Sequence, residues 1–160
     1  MKVSRVRWLA CLVVPLLTGC VAQVTEAPAA PSLTYTCCQT ADIETRYEPG
    51  QTFTVHWIVE FPDEPVPASP PQVELKAHLT GPFATEDDLK AAAMGTRSIP
   101  GLVTFTAPPV RPSGAPDERP VSNIPIAPDA GPGYYNLVTS VLSAEHTVSG
   151  EGIIQVVPRV

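Results

Sequence analysis

The stretch Thr52–Phe61 constrains this chain more than any other. Phe53, Val55, Trp57, Val59 and Phe61 alternate with Thr54, His56, Ile58 and Glu60. Side chains of extended backbone leave opposite faces with a period of two, so the first set forms one wall of a core. Glu48-Pro49-Gly50 reads as the turn that delivers the chain into this strand. Composition then limits what surrounds it. Among 160 residues there are 20 prolines and 10 glycines. Proline is costly inside helices and central strands, so this density predicts short strands joined by many turns. The length suits one modest domain.

Other segments repeat the alternation. Leu33–Cys38 reads as a first strand and Asp42–Glu48 as a polar connecting edge. Gln72–Thr80 points Val73, Leu75, Ala77 and Leu79 inward and Glu74, Lys76 and His78 outward, and Gly81-Pro82 ends it. Leu102–Ala107, Val121–Ile126, Tyr135–Leu142 and Gly152–Val157 complete the strands, with Pro125 marking an edge. Pro62–Pro71 and Pro108–Pro120 are proline-rich loops. Thr85–Ala93 is the one helix expected, with Thr85 as N-cap, Asp88 three residues on and Gly95 as a stop. Glu86, Asp87 and Asp88 lie where the helix dipole favours negative charge, which accounts for the acidic cluster without calcium. About seven short strands separated by turns predict an all-β domain over residues 33–160, a β-sandwich with one inserted helix. A small β-barrel is the alternative.

Asp129-Ala130-Gly131-Pro132-Gly133-Tyr134-Tyr135 leads into the penultimate strand. It resembles the tyrosine corner of immunoglobulin-like sandwiches, with Tyr135 or Tyr134 in that role. Two departures stand out. Leu137 or Asn136 occupies the place of the usual cysteine, and the central strand has none either, so the inter-sheet disulfide of that family is missing. Trp57 takes the part of the core aromatic, on the second strand rather than the third. The resemblance implies architecture and carries no activity with it.

The first residues have a different character. Lys2, Arg5 and Arg7 precede the apolar run Trp8–Leu17, which is short for a membrane span and contains Pro15. Leu17-Thr18-Gly19-Cys20 resembles a bacterial lipobox. The resemblance implies a signal peptide over residues 1–19 and a diacylglyceryl group on the Cys20 thiol. Each buried methylene of an acyl chain contributes about 0.8 kcal/mol, and two or more chains hold a protein stably. Val21–Ser32, centred on Ala27-Pro28-Ala29-Ala30-Pro31, reads as a semi-extended tether. The expected location is extracytoplasmic, with the bacterial membrane as a partner through the N-terminal acyl chains.

Cys37 and Cys38 remain once Cys11 leaves with the signal and Cys20 is acylated. Outside the cytoplasm thiols tend to oxidise. A vicinal disulfide, two thiols, and bridges to another chain are the three readings. His56, His78 and His146 show no short ligand spacing, so no metal site is assigned; a copper or zinc site would need them to join Cys37, Cys38 or Met94. No nucleophile motif, paired carboxylates or phosphate loop stands out, and no catalytic residue or cofactor is assigned. The formal charge of −6 becomes −9 once Lys2, Arg5 and Arg7 are removed. Without a basic cluster, nucleic acid is excluded as a partner. The function expected is that of a non-enzymatic, lipid-anchored envelope protein binding an envelope protein or polysaccharide, with Pro62–Pro71 and Pro108–Pro120 as contact loops. An extracytoplasmic metal or redox accessory and an unrecognised envelope hydrolase are the alternatives.

Overall fold

A computed structural model of the chain describes residues 33–62, 72–115 and 117–159. The signal, Cys20 and tether assignments lie outside these residues, as does most of the Pro62–Pro71 loop. The described residues form an all-β domain of nine strands and two short helices. In order these are β1 (Thr34–Thr36), α1 (Thr40–Glu44), β2 (Arg46–Tyr47), β3 (Thr52–His56), β4 (Ile58–Glu60) and β5 (Glu74–Phe83), followed by α2 (Glu86–Ala93), β6 (Val103–Thr106), β7 (Val121–Pro125), β8 (Gly133–Leu142) and β9 (Thr147–Val156).

Five strands make one sheet in the order β2-β9-β8-β5-β6, with β2 parallel to β9 and the other neighbours antiparallel. β3 pairs with β7, and β1 pairs with β4. The inward residues of β5, Leu75, Ala77 and Leu79, are fully buried, in strict alternation with their neighbours. They meet Tyr135 and Leu137 of β8, Ile154 and Val156 of β9, and Phe53, Val55 and Ile124 from the β3–β7 pair in a single core. Each large apolar side chain sealed there contributes about 1.5–3 kcal/mol.

The strand expected over Thr52–Phe61 is interrupted at Trp57. In register with β7, Trp57 falls opposite Pro120, and its N–H donates to the Pro120 carbonyl at 3.1 Å. Proline has no N–H to return the second bond, so that ladder stops and β4 takes β1 as its partner instead. The buried wall ends with it. Phe53, Val55 and Trp57 are buried and Val59 is half-buried, while Phe61 is 39% exposed, against the inward position expected for it.

Other differences have equally local causes. Asp42–Glu48 is not a single edge but α1 followed by β2. β5 runs through Gly81-Pro82 to Phe83 with a register shift past Thr80, so this dipeptide bends the strand rather than ending it. β9 begins five residues before Gly152 because Thr147–Glu151 pairs with β8 while staying exposed, which removes the alternation that would reveal it. The α2 cap is the expected one: Thr85 Oγ1 accepts from Asp88 N at 3.1 Å. The Asp88 carboxylate pairs with Arg97.

Candidate functional site

The end of β1 brings together the cysteine pair, Trp57 and a buried acid. Thr36 lies opposite Ile58, so the chain leaves β1 beside Trp57. Cys37 and Cys38 follow, half-buried and resting on the core, with their sulfurs in direct contact. The chain then turns into α1, which carries Asp42 back to β3. Asp42 is 5% exposed, and both carboxylate oxygens are engaged. Oδ2 accepts from the His56 backbone N–H at 2.9 Å, and Oδ1 lies 2.7 Å from His56 Nδ1. The Tyr47 hydroxyl donates to the Asp42 carbonyl at 3.1 Å. A buried carboxylate without partners would cost several kcal/mol, so these bonds make Asp42 a clamp between α1 and β3.

Trp57 forms the floor. Its indole N–H donates to Ser122 Oγ at 3.0 Å, which satisfies two buried polar groups at once. Above it lies a cleft of about 150 Å³ between Tyr35, Cys37 and Trp57 on one side and Val141, Val148 and Gly150 on the other. Cys37 borders the cleft and Cys38 does not. A second groove, of about 340 Å³, runs between α2 and the outer face of β8–β9, past Leu89, Met94 and Ile153.

The Pro108–Pro120 loop reaches the same end of the domain. Val110 exchanges both backbone bonds with Leu75, at 2.8 and 2.9 Å, and Pro120 holds Trp57. Inside the loop the Glu118 carboxylate accepts from Ser113 Oγ at 2.8 Å and Gly114 N at 2.9 Å. Burial pushes the Glu118 carboxyl up, but the bonds from Ser113, Gly114 and Ala115 outweigh it and leave the group below its usual range. Tyr35 is raised, first by burial and then by the charge of Glu118.

The histidines do not join the cysteines. His56 is tied to Asp42, His78 lies on β5, and His146 sits in the exposed β8–β9 turn. Among the described residues no three His, Cys, Asp or Glu side chains gather as a metal group. The Asp42–His56 pair is what sequence reasoning missed. Its partners are 14 residues apart and belong to no spacing motif. The one available signal was an acid placed four residues after Cys38 in a polar segment, beside a strand carrying a histidine.

Compared with known proteins, the chain matches no family model, and no curated protein matches it.

Proposed function

We propose that this is a lipid-anchored protein of the bacterial cell envelope whose immunoglobulin-like β-sandwich binds a partner without catalysis. The sequence at Leu17-Thr18-Gly19-Cys20, joined by a proline- and alanine-rich spacer to an ordered β domain, is the observation that carries this reading. Support for the immunoglobulin-like architecture comes from the turn before β8. There the Tyr135 hydroxyl donates to the Gly131 carbonyl at 2.8 Å, the bond that defines a tyrosine corner. The strand order, with β2 running parallel to the last strand and β3–β7 lying across the core, agrees with it.

In this reading acyl chains on Cys20 fix the protein to the membrane, residues 21–32 set its reach, and a rigid domain presents its loops. Pro108–Pro120 is suited to contact because Glu118 and Val110 hold it in one shape before a partner arrives, which lowers the ordering cost of binding. The partner class is an envelope protein or polysaccharide. Replacing Cys20 by Ala tests the anchor. The variant is expected in the soluble fraction after a high-salt wash, and its retention in the membrane fraction contradicts the proposal. Cross-linking from Ser113 in intact cells is expected to capture a partner, and its loss on replacing Arg111 and Arg119 would map the contact.

A second reading, an extracytoplasmic redox accessory, is favoured by one specific observation: the Cys37 and Cys38 sulfurs touch at the margin of a cleft. The metal form of that reading lacks comparable support, since among the described residues no three His, Cys, Asp or Glu side chains gather.

A further inference from the structure

We propose that Cys37 and Cys38 form a thiol–disulfide exchange site entered through the cleft above Trp57, with Cys37 as the sulfur attacked and Cys38 as the leaving thiolate. The proposal deepens the redox reading of the pair and rests on it; the lipid anchor plays no part. Its basis is a difference between two neighbours. Both cysteines are half-buried, and both rest on the core. Only Cys37 borders the cleft. Exchange requires a thiolate to approach one sulfur in line with the bond being broken, so the open side selects which sulfur is attacked. The cleft, about 150 Å³, has room for the reacting end of a small thiol and not for a folded partner's interior. Val148, 66% exposed, stands at its rim, and Trp57, 3% exposed, closes its floor.

The reaction balances with two equivalents of a small thiol as reductant. The first thiolate attacks Cys37 Sγ, forming a mixed disulfide there and breaking the bond to Cys38, which leaves as a thiolate and takes up a proton. A second thiolate then attacks the small-molecule sulfur of that mixed disulfide. This releases the oxidised small-molecule disulfide and the Cys37 thiolate, which is protonated in turn. Two electrons pass from the two thiols to the cysteine pair. Run in reverse, the pair oxidises two small thiols.

Asp42 gives the site a structural consequence. The cysteines connect β1 to α1, and α1 is held on β3 through Asp42 and His56. Opening the pair frees the segment between two fixed points, so its redox state is read at this corner and not in the central sheet.

The test uses the full chain in detergent, with 2-mercaptoethanol as reductant, maleimide as label and peptide mapping to assign the label. Without reductant, neither Cys37 nor Cys38 is expected to label; finding both labelled overturns the redox reading and the proposal together. With the pair bonded, Val148→Trp is expected to slow reduction about tenfold by filling the rim, because exchange rates follow access to the sulfur. A substitution at so exposed a position leaves the fold intact. An unchanged rate overturns the proposal and leaves the redox reading standing. In Cys38→Ser the remaining Cys37 thiol should label about tenfold faster than Cys38 in Cys37→Ser, again through access; equal rates, or faster labelling of Cys38, overturn it as well.

Discussion

The two ends of this domain are built to opposite standards of packing. At the Tyr135 end backbone and ring are in such close approach that a Cβ on Gly81 would lie 2.6 Å from the Tyr135 ring and 2.8 Å from the Tyr134 carbonyl. The tyrosine is fully buried there, stacked on Phe105 at a centroid distance of 6.0 Å and tied by its hydroxyl to Gly131. At the Cys37 end the facing strands leave a cleft, and polar pairs do the holding: Asp42 to His56, and Trp57 to Ser122. One end is made rigid by fit, the other by a few directed bonds. Directed bonds can be lost one at a time, whereas close fit responds mainly to volume. This is the physical reason to look for function at the cysteine end.

Two glycines of the five-stranded sheet, on either side of β8, put that contrast to a direct trial. Gly81→Ala should destabilise the protein by about 3 kcal/mol, since neither ring nor carbonyl can move aside. Gly150→Ala, whose new methyl would meet only Thr139 Oγ1 at 3.3 Å beside the cleft, should stay within about 0.5 kcal/mol. Denaturant midpoints compare the two, and similar losses would erase the distinction between the ends. Next in size is Tyr135→Phe, which keeps the ring and removes the bond to Gly131, at a cost of about 1 kcal/mol.

The same tyrosine sets a pH dependence. Burial raises the Tyr135 phenol above its usual 10.0, and burial raises Tyr47 and Tyr35 as well, with Asp42 and Glu118 adding to the effect. The fold therefore favours the neutral phenols. Their contribution is complete below 10.0 and is lost as pH rises through the higher folded values, because the unfolded phenols ionise first. Tyr135→Phe should flatten the alkaline limb of the unfolding curve. Glu118 works in the other direction. Its carboxyl sits below 4.5, so the order it gives the Ser113–Ala115 turn is present above that pH and is lost as pH falls through the folded value. Proteolytic cutting within Pro108–Pro120 should rise in that acid window and lose its pH dependence in Glu118→Gln. A smaller and more local effect belongs to Thr85→Ala, about 1 kcal/mol at the α2 cap, read in the exchange of the first-turn amides.

Much of the rigid end was legible in the sequence, and little of the other was. The alternation of Val73 to Leu79 marks β5 because burial on one face leaves a period of two. The corner before β8 could be placed on Tyr134 or Tyr135, because a tyrosine after an acid and glycines is a motif with a bond attached to it, and the bond to Gly131 selects Tyr135. Thr85 and Asp88 likewise announce a cap. The interruption at Trp57 is different, since it depends on Pro120, distant in sequence and unable to donate. α1 was hidden for a related reason: a five-residue helix carries no period of its own and exists to bring Asp42 under His56. Local pattern reports local constraint, while the cleft and its clamp arise from pairs that meet only in the fold.

Native-state hydrogen exchange followed by mass spectrometry tests the contrast most directly. Leu79 in β5 and Leu137 in β8 are expected to exchange only with global unfolding, while Tyr35–Asp42 opens at lower free energy and opens further once the cysteine pair is reduced. Exchange of both regions in one step, unchanged by reductant, would contradict that contrast.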